Sequence, residues 1–323
     1  MKRKILFAVA LLATMTAAAQ NIAAVSPSNT TTIYQTLEEA IVGAESGSTI
    51  YLPGGGFQIK DETKINKKLT IMGVSHRGDT DNVDGATIIS GNLHFEGGSS
   101  GSAVLGVYLT GDINVGTETD SVTNFTVRYC NVNSIQVKHS QSSGMVVNQC
   151  YLRQTSNFRW ASVNISNSIS DKLFNINGGV IKNNIVMDRD YRYYAFSDKG
   201  HAFDHVDNAT IIYNIILSER VHRGSNNQDY KNLAVFSQWG NDPIEIDAIN
   251  TEDIFIKDKG VSPFSNFHFK NEYKQYESQV GIYGGTGFKD EALAPIPRIV
   301  SKKVDESTDG SGKLQIEVTV KAQ

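Results

Sequence analysis

The sequence predicts an all-β fold, a solenoid of the parallel β-helix type with a short helix before it and a small β-hairpin after it. Between Val122 and Leu217 one pattern recurs: an apolar residue, two spacers, a Cys or Asn, one spacer and a second apolar residue. The steps are 20 residues from Cys130 to Cys150 and 30 residues from Asn184 to Asn214, with no helical period between the copies. The clear copies are Val127–Val132, Val147–Leu152, Ile181–Val186 and Ile211–Ile216.

Each copy is too short to bury a core alone, so it needs similar copies above and below it. Neighbouring strands of a sheet lie about 4.8 Å apart, and stacking at that distance completes each interior. The copies are rich in Val, Ile and Asn, whereas a leucine-rich horseshoe would repeat Leu. A stacked inward Asn can bond the Asn above it and the turn backbone, which satisfies buried polar groups. A looser copy, Val163–Ile169, has no register that the sequence determines.

The first residues have the composition of an export signal. Met1–Lys4 is basic, Ile5–Met15 is a short apolar run and Thr16–Ala19 supplies small residues, so we expect a signal peptide over 1–19. The apolar run is shorter than the roughly 20 residues that a membrane span needs. No Cys follows the expected cleavage site, so we expect no lipid anchor of the bacterial lipoprotein kind. The expected location is secreted, periplasmic or at the cell surface.

Charge argues against one class of partner. The 323-residue chain has 30 basic and 34 acidic residues, and removal of Met1–Ala19 changes the formal net charge from −4 to −7. A mildly acidic exported chain is not a nucleic-acid binder by charge.

The two cysteines occupy equivalent positions in adjacent copies of the pattern. A disulfide is the first expectation in an exported protein. The predicted register brings Cys130 and Cys150 close together but makes their Cα–Cβ bonds parallel, which suits a disulfide poorly. We therefore favour two buried free thiols over a bridge, since free Cys packs as a small apolar residue.

The N-terminal region divides into a loose segment and a helix. Gln20–Thr32 is rich in Ser, Thr and Asn, and we predict a flexible segment over 20–33. Thr36 and Glu39 form a capping-box pair. One helical face then carries Leu37, Ala40, Ile41 and Ala44. Such a helix would cover the open, apolar end of the solenoid.

The predicted β-helix occupies residues 34–290. Its early strands lie at Ser48–Leu52, Leu69–Gly73, Ala86–Gly91 and Ala103–Leu109, and its late, weaker ones at Leu233–Phe236, Ile254–Ile256 and Val280–Gly285. Two polar excursions interrupt the pattern, at Met187–Asn208 and Ser218–Asp229. Long loops on a rigid scaffold are where function concentrates.

The C-terminal region, 291–323, is predicted to be a Pro-containing linker and a hairpin. Ala294–Pro297 is a stiff linker. Beyond it Leu314, Ile316, Val318 and Val320 alternate with polar residues, which is typical of a half-buried strand.

Two stretches carry a resemblance to known proteins. The helix followed by Gly47-x-x-Ile50-x-Leu52-Pro53-x-Gly55, together with the repeated copies, resembles the right-handed parallel β-helix proteins of the pectate-lyase-like superfamily over about Tyr34–Gly285. The last 45 residues or so are similar to the tail of exported β-helix proteins of Bacteroidetes. The resemblance implies a right-handed solenoid and a polysaccharide partner, but no particular activity.

Acidic residues are absent from one long window. None occurs between Asp120 and Asp171, where the average composition predicts about five. The window contains basic residues and aromatic residues that stacking would bring onto a limited surface. A basic surface with aromatic side chains suits an acidic glycan, because guanidinium groups bind carboxylates and rings stack on sugars. The predicted glycan-binding residues are Arg128, Lys138, Arg153, Arg159 and Trp160. The alternative is that these are ordinary solvated residues.

The superfamily resemblance also implies an enzymatic alternative, a Ca²⁺-dependent polysaccharide lyase acting by β-elimination on a uronate-containing glycan. Such a lyase neutralises a carboxylate and removes the neighbouring proton with a base. Candidate oxygen ligands for Ca²⁺ are Asp188, Asp190, Asp204 and Asp207. Candidate bases are Lys182, Arg189 and Arg192. No ordered motif matches a lyase family, so no role carries over to these residues, and a solvated, salt-bridged loop is the favoured alternative.

Three functions therefore remain open. The first is contact with polysaccharide, an acidic glycan, without an identifiable catalytic signature. The second is the lyase, which is favoured over a glycoside hydrolase because Asp188 and Asp190 stand without the further signatures of that class. The third is a structural or adhesive surface protein.

Overall fold

The computed structural model describes most of the chain from residue 21 onward. The described residues are 21–77, 85–154, 156–187, 201–218, 220–235, 239–246, 254–257, 266–288, 298–304, 307–308 and 311–321. The expected signal peptide, 1–19, and the linker Ala294–Pro297 lie outside them.

The chain winds through three faces of parallel strands, each turn passing from face 1 to face 3 and then to face 2. Face 1 contains Thr49–Tyr51, Thr70–Met72, Ala103–Leu105, Thr126–Arg128, Met145–Asn148, the second halves of Ser156–Ser166 and Leu173–Lys182, Thr210–Ile212 and Gln228–Tyr230. Face 2 contains Lys64–Ile65, Leu93–Phe95, Ile113–Val115, Ile135–Val137, the first halves of the same two long strands, Phe203–Asp207 and His222–Arg223. Face 3 contains Gly55–Gln58, Thr87–Ser90, Tyr108–Leu109, Asn131–Val132, Tyr151–Leu152, Ile169–Ser170, Ile185–Met187, Ile215–Leu217 and Leu233–Ala234. This mostly parallel, all-β architecture is consistent with a solenoid.

The repeated copies stack in register, as the sequence pattern predicts. Asn131 lies opposite Tyr151, so Cys130 and Cys150 occupy one column, and Ile169 lies opposite Ile185. The structure thereby settles the register of the loose copy, in which Ser168 takes the Cys or Asn position. The inward residues of face 1 form a continuous buried core of Ile50, Ile71, Val104, Val127, Val147, Ile165, Ile181 and Ile211.

The turn between face 1 and face 3 has the same backbone conformation in successive turns. The residue before the Cys or Asn position has a positive φ, from 46° at Asn167 to 64° at Gly106. The other residues at this position, whose φ angles lie between these two values, are Tyr129, Gln149, Asn183, Tyr213 and Lys231. This left-handed residue sharply redirects the chain, which lets adjacent faces meet at a short corner.

A ladder of buried side-chain amides follows that corner. Asn214 accepts hydrogen bonds at Oδ1 from the backbone N–H of Asn184 at 2.9 Å and from its side-chain amide at 3.0 Å. Asn232 accepts the equivalent pair from Asn214, at 2.9 and 3.0 Å. Asn214 Nδ2 also donates to the Ile181 and Ile212 carbonyls. The buried polar groups of the corner are thus satisfied, as expected for a protein interior.

Cys130 and Cys150 continue this column as buried free thiols, in agreement with the preference for thiols over a bridge. Cys130 Sγ donates to the Arg128 carbonyl at 3.0 Å, and Cys150 Sγ to the Asn148 carbonyl at 3.3 Å. Burial, with the neighbouring Cys150 next, raises the pKa of Cys130 well above that of an ordinary thiol.

Face 3 is covered on both sides in its C-terminal turns. Ile185 and Ile215 point outward, yet each is at most 1% exposed, because they pack against a second apolar cluster that includes Phe269, Val280 and Ile282. Asn167 Nδ2 donates to the Ile282 and Gly284 carbonyls, which ties this covering segment to the turn. Burial on both sides explains why these strands are apolar at consecutive positions.

The N-terminal segment differs from the predicted flexible chain over 20–33. Strands Ile22–Val25 and Thr31–Tyr34 form an antiparallel hairpin, and the first of them also pairs with Thr49–Tyr51. The physical reason is the alternation of Ile22 and Ala24, whose side chains enter the core. The helix α1, Leu37–Gly43, follows with both bonds of the Thr36 and Glu39 capping box.

The C-terminal elements are antiparallel. Phe255–Lys257 pairs with Asn266–Phe269, and therefore does not continue the parallel stack as expected for Ile254–Ile256. A 3₁₀ helix, Asn271–Tyr276, follows. Arg298–Val304 and Ile316–Lys321 form the predicted hairpin.

The apolar side of this hairpin differs from the half-buried strand that alternation predicts. Leu314, Ile316, Val318 and Val320 are 45–58% exposed. A single two-stranded layer cannot bury either of its own faces. Among the described helices, none has the length and apolar character to cross a membrane.

Candidate functional site

Face 2 is distorted at the same place in three consecutive turns. Asn157 lies opposite Phe174, and Ala161 lies opposite Ile176. The three residues between Asn157 and Ala161 therefore face the single residue between Phe174 and Ile176. Bulges of this kind bend the strand and re-aim its side chains, and they are frequent beside active and binding sites.

The backbone at this bulge is left-handed at residues with large side chains. The φ angles are 43° at Arg159, 65° at Trp160, 55° at Asn175 and 51° at His205, which occupies the position of Asn175 one turn later. Such conformations are uncommon for residues other than Gly and cost about 1–3 kcal/mol each. The corner between faces 1 and 3 uses the same conformation, so it is the combination with the bulge that distinguishes this part of face 2.

The bulge gathers a group of side chains that we call the bulge cluster: Trp160, Phe174, Asp204, His205 and Arg223. The Trp160 ring stands edge-on to the His205 ring, with centroids 6.0 Å apart and an interplanar angle of 75°. Phe174 approaches His205 in the same way at 5.6 Å. Trp160 remains 41% exposed, so the cluster presents an aromatic surface to solvent.

A carboxylate and two basic side chains meet inside the cluster. Asp204 Oδ1 is 3.1 Å from His205 Nδ1 and 3.9 Å from Arg223 Nη1. Arg223 lies directly opposite Asp204 in the next turn. Asp204 Oδ1 and His205 Nδ1 are both buried and lie against each other, although their relative orientation does not make a hydrogen bond.

Further histidines surround the cluster. His222 Nε2 lies 3.1 Å from the Val206 carbonyl oxygen and 2.8 Å from Asn227 Nδ2, and its ring stacks on Trp239. Burial lowers the pKa of His201, the nearby Asp204 carboxylate opposes this shift, and Arg220 and Arg223 reinforce it. His201 is therefore predominantly neutral at pH 7.

The structure distributes the five predicted glycan-binding residues over different faces. Arg128 is exposed on face 1. Arg153, at the end of face 3, is held by the protein itself: Nη1 donates to Tyr108 Oη at 2.8 Å and Nη2 to the Leu109 carbonyl at 2.6 Å. Its guanidinium also lies over the Tyr108 ring, 4.8 Å from the centroid. These contacts give Arg153 a packing role.

The other three predicted residues lie along face 2. Gln136 and Asn157 lie opposite each other in neighbouring strands. Lys138 follows Gln136 by two residues, and Arg159 follows Asn157 by two residues. Trp160 follows directly in the bulge. The half-exposed Arg159 forms a two-bond ion pair with the exposed Glu118, at 3.1 and 2.7 Å.

The candidate lyase residues do not form one site among the residues described. Lys182 lies on face 1, with Nζ 5.9 Å from the Tyr213 ring centroid. Asp207 accepts hydrogen bonds from the backbone and hydroxyl of Ser225, at 2.6 and 2.8 Å, which is a turn cap. Four further candidates lie outside the described residues: Asp188, Arg189, Asp190 and Arg192. In the described parts of the chain no group of three or more His, Cys, Asp or Glu side chains is arranged to hold a metal ion, Ca²⁺ included.

The sequence analysis assigned no role to Phe174, His205 or Arg223. The signal that would have found them is the register of the turns. Phe174, Asp204 and Arg223 occupy one outward position in successive turns. Because the turns differ in length, this alignment is visible only once each strand has been placed.

Comparison with known proteins does not add a precedent. The chain matches no protein-family model, no curated protein and no solved structure.

Proposed function

We propose that this chain contacts polysaccharide, an acidic glycan, through the bulge cluster. The observation that carries the proposal is the exposed Trp160 indole, held out by a strained bulge beside His205 and Arg223. Aromatic rings offer a flat apolar surface to a sugar ring, and a guanidinium binds a carboxylate through paired hydrogen bonds. The proposal assigns contact with the glycan and no catalytic step.

The balance of charge around the cluster favours an acidic ligand. Arg223 is 59% exposed, whereas the Asp204 side chain is only 19% exposed, so the positive group is the more accessible of the two. Arg220 lies near Arg223, since both act on His201. An incoming carboxylate would therefore meet the accessible Arg223 before the less exposed Asp204.

We also propose the handedness of the fold, the role of helix α1 and the location of the protein. We infer a right-handed parallel β-helix of the pectate-lyase-like kind, because nearly all crossovers between parallel strands of one sheet are right-handed. Helix α1 packs on Ile22–Val25 and Thr31–Tyr34, and its buried Leu37 and Ile41 support a role in covering one end. The expected signal peptide supports export to the periplasm or cell surface, where polysaccharide is met.

Binding to a panel of polysaccharides tests the proposal. The mature chain is run in affinity gels containing pectate, alginate or glycosaminoglycans. Three variants accompany it: Arg223→Ala in the bulge cluster, Arg128→Ala on face 1, and Lys68→Ala, an exposed cation in an early turn. We expect retardation by at least one polysaccharide, lost in Arg223→Ala and kept in Lys68→Ala.

The Arg128→Ala variant separates the two candidate surfaces. Loss of binding in Arg128→Ala with binding kept in Arg223→Ala would move the site to face 1. Absence of retardation across the panel would contradict contact with these glycans and favour a structural or adhesive role.

A further inference from the structure

Face 1 ends, at its N-terminal end, in a strand with a free edge. Thr31–Tyr34, which we call the edge strand, pairs with Ile22–Val25 on one side, and no described residue pairs with it on the other. Ile22–Val25 in turn pairs with Thr49–Tyr51, the first parallel strand of face 1. The first three side chains of the edge strand are exposed. A row of unpaired backbone groups at the edge of a sheet is a template for another strand.

The register identifies the backbone groups on the free side of the edge strand. The Ser26 N–H donates to the Thr30 carbonyl at 2.9 Å, so these two residues form a hydrogen-bonded pair at the end of the ladder. Hydrogen-bonded and non-hydrogen-bonded pairs alternate in an antiparallel ladder. The backbone groups of Thr31 and Ile33 are therefore directed away from Ile22–Val25. The free edge thus offers two N–H donors and two carbonyl acceptors.

The edge strand lacks the features by which proteins prevent strands from pairing at an edge. The usual ones are lysine, proline, an inward-pointing charge or a bulge. The strand has none of them, and no charged residue occurs from Gln20 to Leu37. Two identical copies would bring each charge of an edge close to its own counterpart, so a charged edge repels itself and a neutral edge does not. The edge strand is therefore suited to pairing with a second copy of this chain.

Exposed apolar side chains adjoin the free edge. Ile33 lies opposite Ala23, and Ala23 lies opposite Tyr51, so these three side chains are neighbours on the outer side of the sheet. Ile33 is 51% exposed and Tyr51 is 40% exposed. A strand from a second copy would extend the sheet past Ile33 and cover part of its side chain. Apolar burial would then add to the backbone hydrogen bonds.

We propose that two copies of this chain pair through their edge strands, antiparallel and about a two-fold axis at Thr32. In a two-fold dimer the same surface of each copy meets the other. Pairing centred on Thr32 places Thr31 opposite Ile33 of the second copy, and the two such pairs exchange four backbone hydrogen bonds. This pairing goes beyond the proposed function and is independent of it, because the bulge cluster lies on face 2.

The neighbouring residues exclude the two adjacent registers. Pairing centred on Thr31 would place Ile33 opposite Asn29, whose φ of 62° is not that of an extended strand. Pairing centred on Ile33 would require the backbone N–H of Gln35, which already donates to the Glu39 carboxylate. The axis therefore passes through Thr32.

Sedimentation velocity tests the dimer. The mature chain is measured over a range of concentrations, because an interface built on a four-residue strand should dissociate on dilution. We expect the mass to rise with concentration from that of one chain to that of two. Ile33→Lys places like charges on both sides of the axis and should raise the dissociation constant at least about tenfold. The matched control, Ile256→Lys, changes the same residue type at the same 51% exposure and should dimerise as the wild-type chain does.

A cysteine on the axis tests the register. Opposed Cα atoms of a non-hydrogen-bonded pair lie about 4.5 Å apart, which permits a disulfide. Thr32→Cys should therefore give a disulfide-linked dimer with oxidised glutathione on a non-reducing gel. In Thr30→Cys the two thiols would be carried by Cα atoms about 14 Å apart, so no link should form. Cys130 and Cys150 are buried and do not compete.

Three results would overturn the proposal. A monomer at every concentration, with no link through Thr32→Cys, would exclude a second copy and leave the edge to a strand of another protein. A dimer that persists in Ile33→Lys, or that Ile256→Lys weakens equally, would place the contact elsewhere. Equal linking through Thr32→Cys and Thr30→Cys would contradict pairing about an axis at Thr32. Circular dichroism of each variant verifies that the fold is retained.

Discussion

The indole of Trp160 stands edge-on to the imidazole of His205, with ring centroids 6.0 Å apart, although the strand Leu173–Lys182 lies between the two strands that carry them. Both residues have a left-handed backbone. Their contact exists because strands of three successive turns distort at the same position. The candidate site is therefore a product of stacking, not of a local motif.

Removal of the carboxylate that pairs with Arg159 should strengthen binding. In Glu118→Gln the guanidinium loses its two-bond partner and the surface loses a negative charge, so affinity for an acidic glycan should rise about two- to fivefold. Because the pair is on the surface, the free energy of unfolding should change by less than about 1 kcal/mol. Affinity gels measure the first effect and urea denaturation the second.

The control for this variant is Glu45→Gln, which changes the net charge by the same amount at an exposed position far from Glu118 in the chain. Equal gains in affinity for Glu118→Gln and Glu45→Gln would show that only the overall charge matters, and would contradict a local role for Arg159.

The same ion pair shows why the absence of acidic residues between Asp120 and Asp171, the acid-free window, only partly predicted a basic surface. Glu118 lies just outside the window in sequence, yet it pairs with Arg159 inside it, because residues about two turns apart in the chain are neighbours in space. A window in sequence therefore does not define a surface in a solenoid. Arg128 and Arg153 were grouped with Lys138 for this reason, and the structure places them on other faces.

Truncation of the buried amide ladder should cost stability. In Asn214→Ala the backbone N–H and side-chain amide of Asn184 lose their acceptor, and the Ile181 carbonyl loses its donor. Each buried group left without a partner costs about 1–3 kcal/mol, so we expect a loss of about 3 kcal/mol or more in urea denaturation. The outward Asn148→Ala should lose about 1 kcal/mol or less. Equal losses in the two variants would refute the structural role of the ladder.

The stability of the chain should fall at alkaline pH through Cys130. The folded state raises the pKa of this thiol, so above the unfolded pKa of about 8.5 the unfolded chain releases its proton first. The stabilising contribution is fully present below that pH and is lost as the pH rises further, by about 1.4 kcal/mol per pH unit. Urea denaturation between pH 7.5 and 10 measures this slope, and Cys130→Ala should reduce it. An unchanged slope in Cys130→Ala would show that the thiol does not titrate as described.

The bend of the long strand Leu173–Lys182 should depend on a glycine. Gly179 has φ +95°, and a Cβ there would collide with the Val163 backbone of the preceding turn. We expect Gly179→Ala to reduce the free energy of unfolding by about 2 kcal/mol or more, because backbone cannot move aside as a side chain can. Gly56→Ala is the control, since a Cβ there meets open space. Near-equal stabilities of the two variants in urea denaturation would contradict this reading of the bend.

How far the sequence predicts this molecule depends on which interactions repeat. The column through Cys130, Cys150, Asn184 and Asn214 is predictable because every turn needs the same corner, and the α1 capping pair is predictable because it is local. The bulge at Trp160 is not predictable. It lies between Ser156–Ser166 and Leu173–Lys182, and the side chains that meet there come from turns separated by excursions of different length. The strand Ile22–Val25 was missed because the Ser, Thr and Asn residues of Gln20–Thr32 outweighed its four apolar residues in the composition of that segment.

The affinity of Trp160→Ala for the polysaccharide that the wild-type chain binds tests the central claim most directly. Its control is Tyr230→Ala, which removes an aromatic ring of similar exposure from face 1. With circular dichroism spectra unchanged, titration calorimetry should show that Trp160→Ala binds at least about tenfold more weakly, while Tyr230→Ala binds as the wild-type chain does. Wild-type affinity in Trp160→Ala would contradict the assignment of the bulge cluster as the glycan site.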